Sequence, residues 1–234
     1  MFFVHSVLVL IVTLKYYSAL KRYSYLLELS TMAKRSYQQD CALAHTADLI
    51  GERWTLLLIR DLLVSPRRFN ELQKSLKGMG SNLLATRLKE LEQDGVIEPY
   101  ASGDGSRRYR LTVHGRALEP AILGLIRWGY TDSKPGTDKG HHRDDWDLLA
   151  LKAFFQAGLA ADLSLSVQYR GDTFSGWTRI FDGHMTIGLG ELDDADLVVQ
   201  GTVRELFRGA NEPQLLLSHG TTSKLDGYMR SFAS

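Results

Sequence analysis

The chain is short of several things that would narrow its function at once. It has one cysteine, Cys41, so no intrachain disulfide can form, and a lone thiol fits a reducing cytosol; the expected localisation is cytoplasmic. Charge of one sign is missing as well, because the 234 residues carry a net charge of only +1. No Ser/His/Asp set sits in a nucleophile motif, there is no phosphate loop, and the seven histidines are scattered. We therefore expect no enzyme, no cofactor and no bound metal. The run His141-His142-Arg143-Asp144-Asp145 has no repeated ligand pairs at fixed spacing and reads as the polar start of a helix. A membrane-length apolar run is absent at the N-terminus too. Phe2 to Leu14 is about 13 residues, short of the ~20 needed to cross a bilayer, with no basic region before it and no small-residue cleavage site after it. Three readings of residues 1–31 stand: a translated upstream extension ahead of Met32, which is preferred, a membrane tether, and an extra helix packed in a dimer. No stable membrane association is expected.

The small net charge hides an asymmetry. Residues 33–131 carry 15 Lys+Arg against 11 Asp+Glu, and residues 132–234 carry 10 against 15. The middle of the chain is mildly basic, which permits nucleic-acid binding without requiring it, and the acidic remainder adds nothing to such a footprint.

Within the basic segment, Arg67 to Gly95 organises the rest. Phe69, Leu72 and Leu76 recur at helical spacing and make one apolar face. Gly78-Met79-Gly80 breaks that helix, and Ser81 is the expected N-cap of the next. Leu84, Leu88 and Leu91 face inward, and Gly95 ends the run. Ser81, Asn82, Ala85, Thr86 and Lys89 point the other way, with Arg87 on the shoulder. Such a short, hydrogen-bonding, basic face can reach base edges and phosphates in a major groove, and helix, glycine turn, second helix is the helix-turn-helix plan. Two amphipathic helices around a glycine turn also occur in proteins that touch no nucleic acid. The adjoining stretch weighs on the choice: residues 96–101 read as a strand, 102–106 as a glycine-rich turn and 107–112 as the returning strand. This hairpin carries Arg107 and Arg108, suited to the phosphate backbone. Arg67 and Arg68, just before the first helix, are further candidates for phosphate contact or else belong to a solvated turn.

These blocks resemble the HxlR-type family of winged helix-turn-helix transcription regulators across residues 41–128. The resemblance is carried by Cys41, by residues 48–63 with Gly51-Glu52-Arg53-Trp54 at their centre, by Arg68-Phe69-Asn70-Glu71-Leu72, by residues 83–92 and by Tyr109 to Gly115. It implies a homodimer that binds a double-stranded DNA operator. It also implies, as in some members, oxidant or electrophile sensing through Cys41, whose thiolate Lys34, Arg35 and His45 would favour.

On either side of this core, residues 41–50 and 53–64 read as helices, with Trp54, Leu57, Leu58 and Leu62 toward the core. Residues 115–130 read as another helix, whose spare apolar positions suit a dimer. Residues 133–140 have linker composition. The second half opens with a helix from Trp146. Strands follow over 163–169, 174–181, 185–189 and 195–201, then a short helix at 203–209, a last strand near 215–217 and a closing helix over 224–232. That order resembles the sterol-carrier-protein type of lipid-binding domain, on the strength of Ile180 to Met185, Ala195 to Val199 and Leu206 to Gly209. The resemblance implies a curved sheet covered by helices around an apolar cavity, hence a small apolar ligand; a filled core serving dimerisation is the alternative.

The expected protein is α+β: an extension at 1–31, a winged helix-turn-helix domain at 32–134, a linker at 135–145 and a sterol-carrier-like domain at 146–234. The expected function is a ligand- or redox-responsive DNA-binding regulator, against the alternative of an apolar-ligand or lipid carrier with a secondary DNA-binding role.

Overall fold

A computed structural model describes residues 36–132, 140–208 and 216–232. The extension at 1–31, Lys34 and Arg35, most of the linker, Gly209 and Leu215 lie outside the described residues. Two compact units divide the chain, residues 1–52 and 53–234. In the first, helix α1 spans Ala42–Ile50, and the Asp48 carboxylate accepts hydrogen bonds from the Ser36 hydroxyl and the Tyr37 backbone N–H, both at 2.9 Å.

The second unit begins with the winged helix-turn-helix fold. Helix α2 spans Thr55–Val64, α3 Phe69–Ser75 and α4 Ser81–Gln93. Leu58, Ile59, Leu62, Leu72, Leu84, Leu88 and Leu91 form a buried apolar seam between them, each contributing about 2 kcal/mol on full burial. Leu57, expected inside, is 39% exposed, because α2 buries the Leu58–Leu62 face instead. Trp54 stands at a left-handed φ of 80° at the head of α2, and its indole packs against the helix-turn-helix turn. Gly78 provides that turn with φ 95°, a left-handed conformation that residues with a Cβ rarely adopt. Gly80 then holds the N-cap position of α4 in extended geometry. Ser81 is therefore the first helical residue and not the cap, so its hydroxyl is left to face outward.

The wing follows as two antiparallel strands, β1 Ile97–Ala101 and β2 Arg107–Leu111, with Ile97 opposite Leu111 and Ala101 opposite Arg107. Arg67 joins the sheet from the other side: its backbone N–H donates to Tyr109 O at 3.0 Å and its carbonyl accepts from Tyr109 N at 2.7 Å. The single helix expected over 115–130 is two, α5 Val113–Arg116 and α6 Glu119–Asp132. The Thr112 hydroxyl caps the first by accepting from Gly115 N.

Helix α7, Asp144–Phe154, starts two residues before the expected boundary and packs on both neighbours. Toward the winged helix, the Trp146 indole N–H donates to Asp61 Oδ1 at 2.9 Å, and the Arg60 guanidinium lies 3.7 Å over the Trp146 ring. Lys152 pairs with Glu119 at 2.8 Å and Arg127 donates to Ala153 O at 2.7 Å. Toward the rest, Leu148 and Leu151 enter the core of a mixed five-stranded sheet. Its strands are β3 Leu165–Arg170, β4 Ser175–Phe181, β5 His184–Leu189, β6 Leu197–Gln200 and β7 Leu217–His219, in the order β5-β4-β3-β6-β7. Among the described strands only β3 and β6 run parallel; helix α8, Val203–Arg208, lies between β6 and its antiparallel neighbour β7, and α9, Thr222–Arg230, follows β7. Helix α7 is thus buried on two sides, against winged-helix elements and against the sheet, within the compact unit of residues 53–234.

The core between sheet and helices has hydrogen-bonded polar groups at its centre. Tyr169 and Tyr228 are fully buried, their hydroxyls are 2.6 Å apart, and Thr178 Oγ1 lies 3.0 Å from the Tyr228 hydroxyl. Burial pushes the Tyr228 phenol up to about 12, so both stay neutral hydrogen-bonding groups.

Candidate nucleic-acid interface

The outward side of α4 is a continuous exposed strip. Ser81, Asn82, Ala85, Thr86 and Lys89 are all exposed, while Leu84, Leu88 and Leu91 anchor the opposite side. Thr86 returns its hydroxyl hydrogen to Asn82 O at 3.0 Å, a helix-internal bond that leaves the oxygen lone pairs outward. Asn82 keeps both amide donors and its carbonyl in solvent, the inventory needed to read an adenine edge.

The basic candidates divide into two groups. Lys89 and Arg107 are exposed and form no ion pair among the described residues. The Arg107 guanidinium lies 5.7 Å from the Tyr109 ring on the wing, so it is held near the surface without being neutralised. The others already have protein partners. Arg87 pairs with Glu90 along α4. Arg68 and Arg108 both approach Asp104 at the wing turn, and Arg108 also donates to Pro66 O at 3.4 Å. Hydrogen bonds from Ser106 and then the nearby Arg68 hold the Asp104 carboxyl well below its ordinary range, so this acid stays charged at the wing tip.

Arg67 is the candidate that the structure places elsewhere. Its guanidinium binds the Asp145 carboxylate, with the Arg67 side chain 12% exposed and that of Asp145 5%. Arg143 holds the same carboxylate from the other side through two bonds, 3.0 and 2.9 Å. Burial works against a charged Asp145, but the two guanidinium groups outweigh it and leave the carboxyl below its ordinary value. Arg67 therefore ties the start of the helix-turn-helix to α7. No local pattern could have signalled it, because its partner is 78 residues away.

Cys41 is exposed at the N-cap position of α1. The backbone amides of Ala44 and Leu43 stabilise its thiolate and lower the thiol from its ordinary value. The favouring groups are thus helix N–H dipoles, and not His45 as expected; Lys34 and Arg35 lie outside the described residues.

A second polar cluster brings together His142, Asp144 and Asp147, with ligand atoms all within 4.8 Å. Its hydrogen bonds disfavour a metal. Arg204 can only donate, so at 2.8 Å it fixes His142 Nδ1 as an acceptor and puts the proton on Nε2, 3.1 Å from Asp147. A cation would need that lone pair and would face the guanidinium.

Comparisons with known proteins give matches to the winged-helix half of the chain. Residues 49–136 match the HxlR-like helix-turn-helix family. The HTH-type transcriptional regulator YdeP of Bacillus subtilis is 39% identical over 93 residues, covering 39% of this chain and 73% of YdeP. The HTH-type transcriptional regulator YodB of the same organism is 33% identical over 90 residues, covering 38% of this chain and 80% of YodB. A solved structure of YodB is quinone-bound; it is 31% identical with a TM-score of 0.34 and covers 38% of this chain and 96% of that one. The crystal structure of PA1607 is 39% identical with a TM-score of 0.40, covering 45% of this chain and 74% of that one. The family match ends at residue 136, so the sheet-bearing half lies outside it.

Proposed function

The chain belongs to the HxlR-like helix-turn-helix family of transcriptional regulators, and from that premise we propose that it binds operator DNA as a homodimer, with α4 in the major groove. The exposed strip Ser81-Asn82-Ala85-Thr86-Lys89 carries this reading, because it is polar, uncovered and backed by a rigid leucine seam. In it, Asn82 and Thr86 read base edges, Ser81, Arg87 and Lys89 hold phosphates, and Arg107 with Arg108 grips the flanking backbone. Arg68 joins them once DNA draws it from Asp104. The exposed apolar face of α6, with Leu125 and Trp128, supplies dimer surface. Selection of duplexes from a random library, followed by footprinting, tests the reading. A two-fold related site with half-sites about one helical turn apart is expected; no enrichment over random sequence would sink it.

Cys41 is the proposed redox input. Its exposure and its amide-stabilised thiolate support that reading, as does the 33% identity to YodB. Diamide or a quinone is expected to weaken operator binding by the wild-type protein and not by Cys41→Ser. The C-terminal half is read as a sterol-carrier-like module that carries a second input. The order of β3 to β6 followed by α8 supports the likeness, and the buried Tyr169–Tyr228 pair speaks against a dedicated lipid carrier.

A further inference from the structure

Residues 53–234 contain a cleft of about 380 Å³ that the DNA-binding reading leaves unused. That volume lies in the range of small-molecule sites. One wall carries two guanidinium groups, Arg67 and Arg143, and two carboxylates, Asp144 and Asp145. Arg67 and Arg143 share the single buried carboxylate of Asp145, so the trio keeps a surplus positive charge, and the Arg143 side chain remains 30% exposed. The positive field reaches the neighbouring His141, whose imidazole is pushed below its ordinary value by desolvation and then by Lys77, Arg143, His142 and Arg60. The other carboxylate in the lining, Asp144, lies 3.6 Å from the His142 imidazole. The facing wall is different in kind: Phe174 and Leu189 are half-buried and apolar, and the Thr173 side chain is exposed beside them.

We propose that this cleft binds a small organic anion, a carboxylate or phosphate carried on a short apolar group, and that its occupancy tunes DNA binding. The oxyanion meets the open edge of Arg143, whose planar fork matches it, and competes with Asp145 for Arg67. The apolar part lies on Phe174 and Leu189. Arg67 is the route outward, since its backbone is paired with Tyr109 of the wing and the next residue but one begins α3. A ligand that binds the released and the Asp145-paired forms of Arg67 differently shifts the balance between them. The tuning rests on the DNA-binding reading; the binding site does not.

Calorimetry on the full chain with benzoate and phenyl phosphate, and with benzyl alcohol as the uncharged control, tests the site. Both anions are expected to bind with a dissociation constant near or below ~1 mM, and the alcohol is not. Arg143→Ala is expected to weaken binding at least about tenfold. Thr173→Glu places a like charge at the exposed rim and is expected to do the same without touching the core, which keeps the test open if Arg143→Ala folds poorly. No heat with either anion, equal binding of the alcohol, or unchanged binding by Thr173→Glu overturns the site. With the selected duplex, saturating anion is expected to change the affinity of the wild type roughly fivefold or more and that of Thr173→Glu not at all; an unchanged wild-type affinity overturns the tuning. Anion binding by a protein that selects no DNA would instead overturn the DNA-binding reading and leave the site standing.

Discussion

Helix α4 and strand β3 both carry polar residues on one side and apolar residues on the other, yet the two polar sides end in opposite places. On α4, Ser81, Asn82, Thr86 and Lys89 are in solvent. On β3, Ser166 and Gln168 are as buried as Leu165, Val167 and Tyr169 on the other face. The segment from Gly190 to Asp196 covers them. Gln168 Nε2 donates to Ser175 Oγ at 2.9 Å and Gly176 O at 3.2 Å, and its Oε1 accepts from Leu192 N at 2.7 Å. Asp196 accepts from the Ser166 N–H and hydroxyl, each at 2.9 Å. A polar stripe therefore says only that hydrogen bonds must be made. On α4 they are made with solvent, and on β3 the chain makes them itself.

The contrast extends to the charges, and there the largest effect is expected. Asp145→Ala leaves Arg67 and Arg143 facing a buried site without their carboxylate, and should cost about 3–5 kcal/mol in urea unfolding. The pH dependence has a definite sign. Because the folded carboxyl of Asp145 titrates below its ordinary 3.8, its contribution is complete above that value and is lost as the pH falls below it. Asp145→Asn should lack this acid-side loss in a comparison of unfolding curves between neutral pH and pH 3. Gln168→Ala, next in size, strands the Leu192 N–H and should cost roughly 2 kcal/mol. A loss under ~0.5 kcal/mol would mean that the segment over β3 is not held by this residue.

Asn82→Ala should do the reverse. Stability should stay within about 0.5 kcal/mol of wild type, while discrimination at one operator base falls by roughly 1–3 kcal/mol. Melting curves and competition binding with single-base variants separate the two. The smallest expected effect is that of Lys89→Ala, which should weaken binding about equally across sequences and flatten the salt dependence by about one unit per half-site. If Asn82→Ala destabilises the fold as much as Gln168→Ala does, the distinction between the two polar stripes is broken.

The N-terminal half was legible in the sequence to a fine grain because its signals are local. Leucine spacing, the Gly78 turn and the Ser102–Ser106 hairpin each act within a few residues, and the strip on α4 follows from helical period alone. The strands of the second half were legible for the same reason. Ser81 was misread as a cap because Gly80 and Ser81 both suit that position and only the backbone path chooses between them. The pairing of Arg67 with Asp145 had no signal in the sequence, because an arginine beside another arginine looks solvated until its distant carboxylate is placed.

What the sequence determined by itself is the set of elements and the face that each must bury, since those depend on neighbours within a turn of helix or a step of strand. Tertiary structure alone decided that α7 joins the halves, that Arg67 is a tie instead of a free cation, that β3 hides its polar side, and that the sheet encloses a tyrosine pair. Each of those rests on a hydrogen bond or ion pair between residues far apart in the chain, and such a partner is assigned only when folding sets the distance and removes the water.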